Sequence, residues 1–269
     1  MSFNSAVSAV SDGLVVAKRN LIKIKRVPDL LVFTTLQPIM FVLLFVYVFG
    51  GAIAVRGSSY NEFLIAGIFA QTVIFGATIT GAGLADDIQK GIIDRFRSLP
   101  MSPSAVLFGR TLSDVVNNVI VVIVMSLTGL VVGWRIRSSV LEALGGYLIL
   151  LAFAYSFSWV MAMMGLLAPS PEVVNNASFV IIFPLTFVAN TFVPLATLTE
   201  PLRTFAEWNP VSAVTESARE LFGNIPPGTP RPGGWALQHP VVYSLLWCLV
   251  ILAIFIPLTT RQFQRSVSR

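Results

Sequence analysis

Residues Val241–Thr259 read VVYSLLWCLVILAIFIPLT, with no charged side chain among them. A helix rising 1.5 Å per residue needs about 20 residues to cross the roughly 30 Å hydrocarbon core of a bilayer. The run is Leu, Ile, Val and Phe without the alternation of a barrel strand, so it predicts a transmembrane helix. Everything else in the chain is read outward from it.

Five further stretches have the same character: Leu30–Gly51, Phe63–Leu84, Val115–Val132, Leu141–Leu167 and Val173–Leu195. The predicted fold is an all-α membrane protein with a six-span domain over residues 30–259. A tail over residues 1–29 precedes it and a tail over 260–269 follows. Composition agrees: 55% of the 269 residues are hydrophobic and 12% are charged, where soluble domains carry about 25% charged residues. Such a chain cannot clothe a water-facing surface. The longest stretch without a span is about Ala196 to Gln238, 43 residues, which falls short of the roughly 50 residues of an independent domain. A soluble catalytic domain is therefore not expected.

The basic residues set the orientation. Lys18, Arg19, Lys23, Lys25, Arg26, Lys90, Arg95, Arg97, Arg110, Arg261, Arg265 and Arg269 fall on one side of the six spans. Arg56, Arg135, Arg137, Arg203, Arg219 and Arg231 fall on the other. The richer side is expected to be cytoplasmic, with both termini inside a plasma (inner) membrane. The net charge of +5 is then a matter of topology, and nucleic acid is not an expected partner. Met1–Asp29 holds no continuous apolar run, so no cleavable signal peptide is expected.

Several chemistries are excluded by absence. Cys248 is the one cysteine and His239 the one histidine, so no intrachain disulfide and no Cys/His metal cluster can form. No G-x-x-x-x-G-K-S/T phosphate loop, H-E-x-x-H or G-x-S-x-G is present. No catalytic residue, resident cofactor or metal is expected.

Four segments carry candidate function. Ser11–Arg26 reads as a basic amphipathic helix, with Leu14, Ala17, Leu21 and Ile24 on one face and Lys18, Arg19, Lys23 and Arg26 interleaved. It can lie in the membrane surface, or serve only as a topogenic tail. Asp86–Leu99 reads as a second amphipathic helix, with Ile88, Ile92, Ile93, Phe96 and Leu99 on one face and Asp87, Lys90, Asp94 and Arg97 beside them, ended by Pro100. It either rests on lipid or docks its apolar ridge into a cytoplasmic partner. Arg110, Asp114, Asn117 and Asn118 share a face at the start of the third span. An Arg110–Asp114 pair at i,i+4 would be structural glue, with an intramembrane functional role as the alternative.

The fourth segment is the fifth span. Asn176, Phe183, Phe187 and Asn190 lie close to one stripe, and the second span adds Gln71, Phe75 and Thr78. The stripe is either helix packing or the lining of a path for an amphiphilic, aromatic or lipid-like substrate. Beyond it, two short amphipathic helical patterns flank Asn209–Pro210 and are expected to dip back into the outer interface as re-entrant-like helices.

Taken together, a basic surface helix, six spans, an inner loop ending in Arg97-Ser98-Leu99-Pro100-Met101-Ser102-Pro103 and an outer Asn209-Pro210 element closing in Glu216-Ser217-Ala218-Arg219-Glu220-Leu221 resemble a known family. They look like the type-2 ABC transporter permeases, in particular the daunorubicin/doxorubicin-resistance branch. The resemblance implies a permease subunit that dimerises with a second copy or a sister permease. It also implies two copies of a separate ATPase subunit, which bind the ATP and Mg, and export of drugs, lipids or glycans. It assigns ATPase contact to Asp86–Leu99 and to Leu14–Arg26. Many relatives begin the inner loop with Glu-rich charges, where this chain has Asp86 and Asp87. The competing expectations are an ion-coupled secondary transporter, a lipid or polysaccharide exporter of the same ABC type, and a membrane-embedded assembly subunit.

Overall fold

The computed structural model describes residues 28–50, 53, 59–93, 103–225 and 234–267. The Leu14–Arg26 surface helix, with Lys18, Arg19, Leu21, Lys23 and Arg26, lies outside the described residues, as do Asp94, Phe96 and Arg97. The described residues form helices joined by short turns. They are α1 (Pro28–Leu44, continued by a π turn Phe45–Phe49), α2 (Tyr60–Gly76), α3 (Thr78–Gln89), α4 (Pro103–Val131) and α5 (Val140–Leu167). They continue as α6 (Pro171–Phe187), α7 (Glu200–Trp208), α8 (Pro210–Leu221), α9 (Trp235–Gln238) and α10 (Pro240–Val267).

Helix starts follow local chemistry. Ser139 caps α5 in a capping box, its hydroxyl taking the Glu142 N–H while the Glu142 carboxylate takes the Ser139 N–H. Asn209 caps α8: its Oδ1 accepts from Val211 N at 2.9 Å, with Pro210 at the first helical position. Gly91, at φ 65°, lets the chain turn out of α3 in the left-handed region that favours glycine. That turn is the physical reason one sequence expectation fails. Asp86–Leu99 is not a single helix. Asp86–Gln89 is the last turn of α3, Lys90 is its C-cap, and the chain restarts helical at Ile92.

Among the described residues, four helices are long and apolar enough to cross a membrane: Tyr60–Gln89 (α2 and α3 together), Leu107–Val131, Val140–Leu167 and Pro240–Arg265. Two shorter apolar helices, Thr35–Phe49 and Pro171–Phe187, occupy the first and fifth predicted spans. The fifth predicted span, Val173–Leu195, therefore ends early. Pro184 sits inside α6 without an N–H to donate, and the helix stops at Phe187. Helix α4 begins at Pro103, ahead of the third predicted span, and carries Arg110 and Asp114 within it. The expected tail from residue 260 is helical as far as Val267.

Helix α5 is the hub, packing against α2, α3, α4, α8 and α10. Where it meets α3, a Cβ on Gly165 would fall on the Gly81 backbone, so only glycine permits the approach. Phe69, Trp134, Tyr147 and Phe222 interlock at the other end of the bundle, with Trp134 and Phe222 edge to face at 5.4 Å.

Candidate functional site

Three constellations stand out: a polar cluster on α3 and α4, a row of phenylalanines along α6, and a buried arginine on α8.

The first is built on the shared face of Arg110, Asp114, Asn117 and Asn118. The expected Arg110–Asp114 pair is replaced by contacts between helices. Arg110 Nη1 donates to Asp87 Oδ2 at 3.1 Å and Nη2 to the Ile79 carbonyl at 3.3 Å. The Asp114 carboxylate instead accepts from the Thr80 hydroxyl. Asn118 Nδ2 donates to the Asp114 carbonyl at 2.9 Å, while its Oδ1 has no partner. A Cβ on Gly83 would overlap the Arg110 guanidinium, so the bare backbone there admits the long side chain. Asp87 is thus 3% exposed and turned inward, not outward toward a partner as its place in the amphipathic pattern predicts. Ile93 is buried too, against Leu84, Leu107, Trp159 and Phe263. Of the predicted docking residues that are described, only Lys90 and Ile92 keep access to the surface. Lys90 Nζ donates to Asp86 Oδ2 at 2.9 Å, and that bond holds the ammonium above its ordinary pKa.

The second constellation is continuous. The rings of Phe179, Phe183 and Phe187, one helical turn apart on α6, stack at 5.1 and 4.0 Å. Phe75 of α2 joins one end at 6.2 Å. At the other end Phe187 meets Phe192 at 4.9 Å, Phe192 meets Phe45 at 4.4 Å, and Phe45 meets Phe49 at 5.1 Å. Phe179, Phe183 and Phe49 remain exposed on the outside of this protomer. Of the predicted stripe, the structure brings Phe75, Phe183 and Phe187 together. Asn176 is exposed on the first turns of α6, and Gln71 is buried in α2. Thr78 spends its hydroxyl on the Phe75 carbonyl at 2.7 Å. Asn190 leaves the stripe altogether, because α6 has already ended. Its Nδ2 donates to Glu216 Oε2 at 2.9 Å. Phe45 and Phe49 were not foreseen, since they lie in another span and only packing brings them to α6.

The third constellation closes the loose end of α6. The last carbonyls of a helix lack intrahelical donors. Asn209 Nδ2 serves those of Leu185 and Val188 at 2.7 and 2.9 Å. Arg219 Nη2 serves Asn190 at 2.6 Å, its Nε serves Phe63 at 2.9 Å, and its Nη1 pairs with Glu216 at 3.1 Å. The guanidinium carbon lies 3.6 Å from the Phe63 ring centroid. The sequence signal was the Glu216–Arg219 pair at i,i+3 within Glu216-Ser217-Ala218-Arg219-Glu220-Leu221. Buried ionisable groups of that kind invite a functional reading.

The family model described as ABC-2 type transporter matches residues 13–222. The daunorubicin resistance ABC transporter permease protein DrrB1 of Streptomyces coeruleorubidus is 34% identical over 261 residues, covering 96% of this chain and 88% of that protein. The putative transport permease ycf38 of Cyanophora paradoxa is 26% identical over 222 residues, 80% of this chain and 75% of that one. The doxorubicin resistance ABC transporter permease protein DrrB of Mycobacterium tuberculosis (strain ATCC 25618 / H37Rv) is 24% identical over 205 residues, 76% and 71% of the two chains.

Proposed function

The chain belongs to the ABC-2 type transporter family, and from that premise we propose that it is the membrane subunit of an ATP-driven exporter of hydrophobic or amphiphilic compounds. The daunorubicin and doxorubicin named for its relatives point to planar aromatic amphiphiles as the first class to test. In this reading the six apolar segments all span, with both termini in the cytoplasm. Two permease chains, identical or sister, pair with two copies of a separate ATPase, which alone binds ATP and Mg.

The observation that carries the export route is the unbroken run of phenylalanine rings from Phe75 along α6 to Phe45. Phe179 and Phe183 are the exposed part of this row and offer a planar apolar solute aromatic contacts, each about 0.5–1.5 kcal/mol beyond the area it buries. Contacts of that size hold a solute without trapping it. Docking of the ATPase is assigned to Lys90, Ile92, Asp94, Phe96 and Arg97, together with the basic segment Lys18–Arg26. Asp87 and Ile93 then support that surface from within.

The test is transport in inside-out vesicles carrying this chain and a candidate ATPase. ATP should drive accumulation of a fluorescent anthracycline-type compound, and an ATPase-dead partner should abolish it. Accumulation driven by a proton gradient without any ATPase would replace this reading with ion-coupled transport.

A further inference from the structure

The seam between α2–α3 and α4 holds more hydrogen-bond acceptors than donors. The helices run against each other, so Asn118 faces Gly76, Asp114 faces Thr80, and Arg110 faces Gly83 and Asp87. Arg110 and Asp87 cancel as one ion pair. Asp114 adds a second carboxylate, 5% exposed, and among the described residues the Thr80 hydroxyl is its one donor. One turn along, Asn118 is 1% exposed. Its amide nitrogen is spent on the Asp114 carbonyl, and its Oδ1 is turned across the seam to Gly76, without a partner. A Cβ at Gly76 would lie 2.7 Å from that oxygen.

The facing wall of the seam is a helix break. Helix α2 ends at Gly76 and α3 begins at Thr78. Across the join the hydrogen bonds shorten: Ala77 N–H bonds the Ile74 carbonyl and Thr80 N–H the Ala77 carbonyl, each three residues back. In an unbroken helix Thr80 N–H would reach four back, to Gly76. The Gly76 carbonyl is released from that bond at the C-terminal end of α2, directed along the axis toward the level of Thr80. Carbonyls left over at such an end carry the negative pole of the helix dipole.

A buried carboxylate without a countercharge is costly, and so is each buried oxygen without a donor. A proton on Asp114 would neutralise the carboxylate and still leave Asn118 Oδ1 and the Gly76 carbonyl unanswered. A metal ion answers all of them together. We infer that the α2–α3 break and α4 form a binding site for a sodium-like monovalent cation, held by the Asp114 carboxylate, Asn118 Oδ1, the Thr80 hydroxyl oxygen and the Gly76 carbonyl. All four ligands are hard oxygen donors. The single carboxylate matches a single positive charge. Carbonyls freed at a broken helix inside a membrane bundle are ligands of the kind that coordinate sodium. The ion neutralises Asp114 and fastens the break to α4, whatever energises transport.

The test uses the full chain purified in detergent, with sodium chloride exchanged for choline chloride at constant ionic strength. The unfolding temperature should rise with the logarithm of the sodium concentration, because a ligand that binds only the folded state stabilises it by mass action. Radioactive sodium should bind saturably to the wild-type chain in a scintillation proximity assay. Asp114→Asn, which keeps the shape of the side chain, should lose both responses, and Asn118→Ala should move them to higher sodium concentration. If the Asp114 variant fails to fold, sodium binding by the wild type and its weakening in Asn118→Ala decide the question. An equal sodium response in the wild type and both variants would place the effect elsewhere and overturn the inference. Stabilisation by acid alone, with no sodium response and no bound radioactivity, would make Asp114 a protonated carboxyl and overturn it as well.

Discussion

Arg219 is buried and Arg110 half-buried, and they do different work. Arg110 holds two helices together through Asp87 and the Ile79 carbonyl, whereas Arg219 supplies donors to carbonyls left over where α6 ends. Removing one member of a buried ion pair leaves the other uncompensated, at a cost of about 3–5 kcal/mol. Arg110→Ala should therefore lower the detergent-solubilised unfolding temperature sharply. Arg110→Ala with Asp87→Ala should recover part of that loss, because no lone charge remains. A second contrast separates route from scaffold. Phe183 is exposed and its ring only stacks on its neighbours, so Phe183→Ala should change which compounds are exported while the protein still assembles. Asn190 is 3% exposed and bonded to Glu216, so Asn190→Ala should reduce yield and thermal stability for every substrate alike. Equal assembly defects in the two variants would make the phenylalanine row a packing device.

For the elements, the question is how close helices can come and what they present. The α3–α5 crossing needs Gly165 against the Gly81 backbone. Gly165→Val must push the helices apart, and overpacking of this kind costs about 1–3 kcal/mol. The expected outcome is a drop in unfolding temperature with insertion intact, measured on membrane and purified fractions. The inner loop beyond Gly91 is the proposed ATPase contact. Truncating a large apolar anchor at such a contact costs about 2 kcal/mol or more, which is around thirtyfold in affinity at about 1.4 kcal/mol per tenfold. Phe96→Ala should weaken ATPase co-purification by that order, while Arg137→Ala, whose partner is Glu62, should leave it intact. Unchanged binding by the Phe96 variant would remove the docking role.

Across the whole molecule, the six-span topology is the claim to check. Cys248 is the only thiol, so a Cys248→Ser chain accepts single probes. Cysteines replacing Ser58 and Thr229 should react with an impermeant maleimide from outside intact cells. A cysteine replacing Ser102 should react only after permeabilisation. Reaction at residue 229 from the cytoplasmic side alone would refute the topology.

Membrane class, all-helical fold and family were legible in the chain alone. They depend on long apolar runs, on the scarcity of charge and on motif order, all of which are local or additive properties. What the linear pattern could not determine was where each polar side chain sends its bonds. Arg110 stands one turn from Asp114, yet it reaches across to Asp87, because Gly83 leaves it a path. Asn190 fits the spacing of a stripe, but α6 stops at Phe187 and the residue turns to α8. Phe45 and Phe187 are far apart in sequence and joined only through Phe192. Periodicity reports which face of a helix a residue occupies, provided the helix continues. Which neighbour lies across that face, and where the helix ends, are decided by packing: by the glycines that allow close approach and by the donors that arrive from other elements.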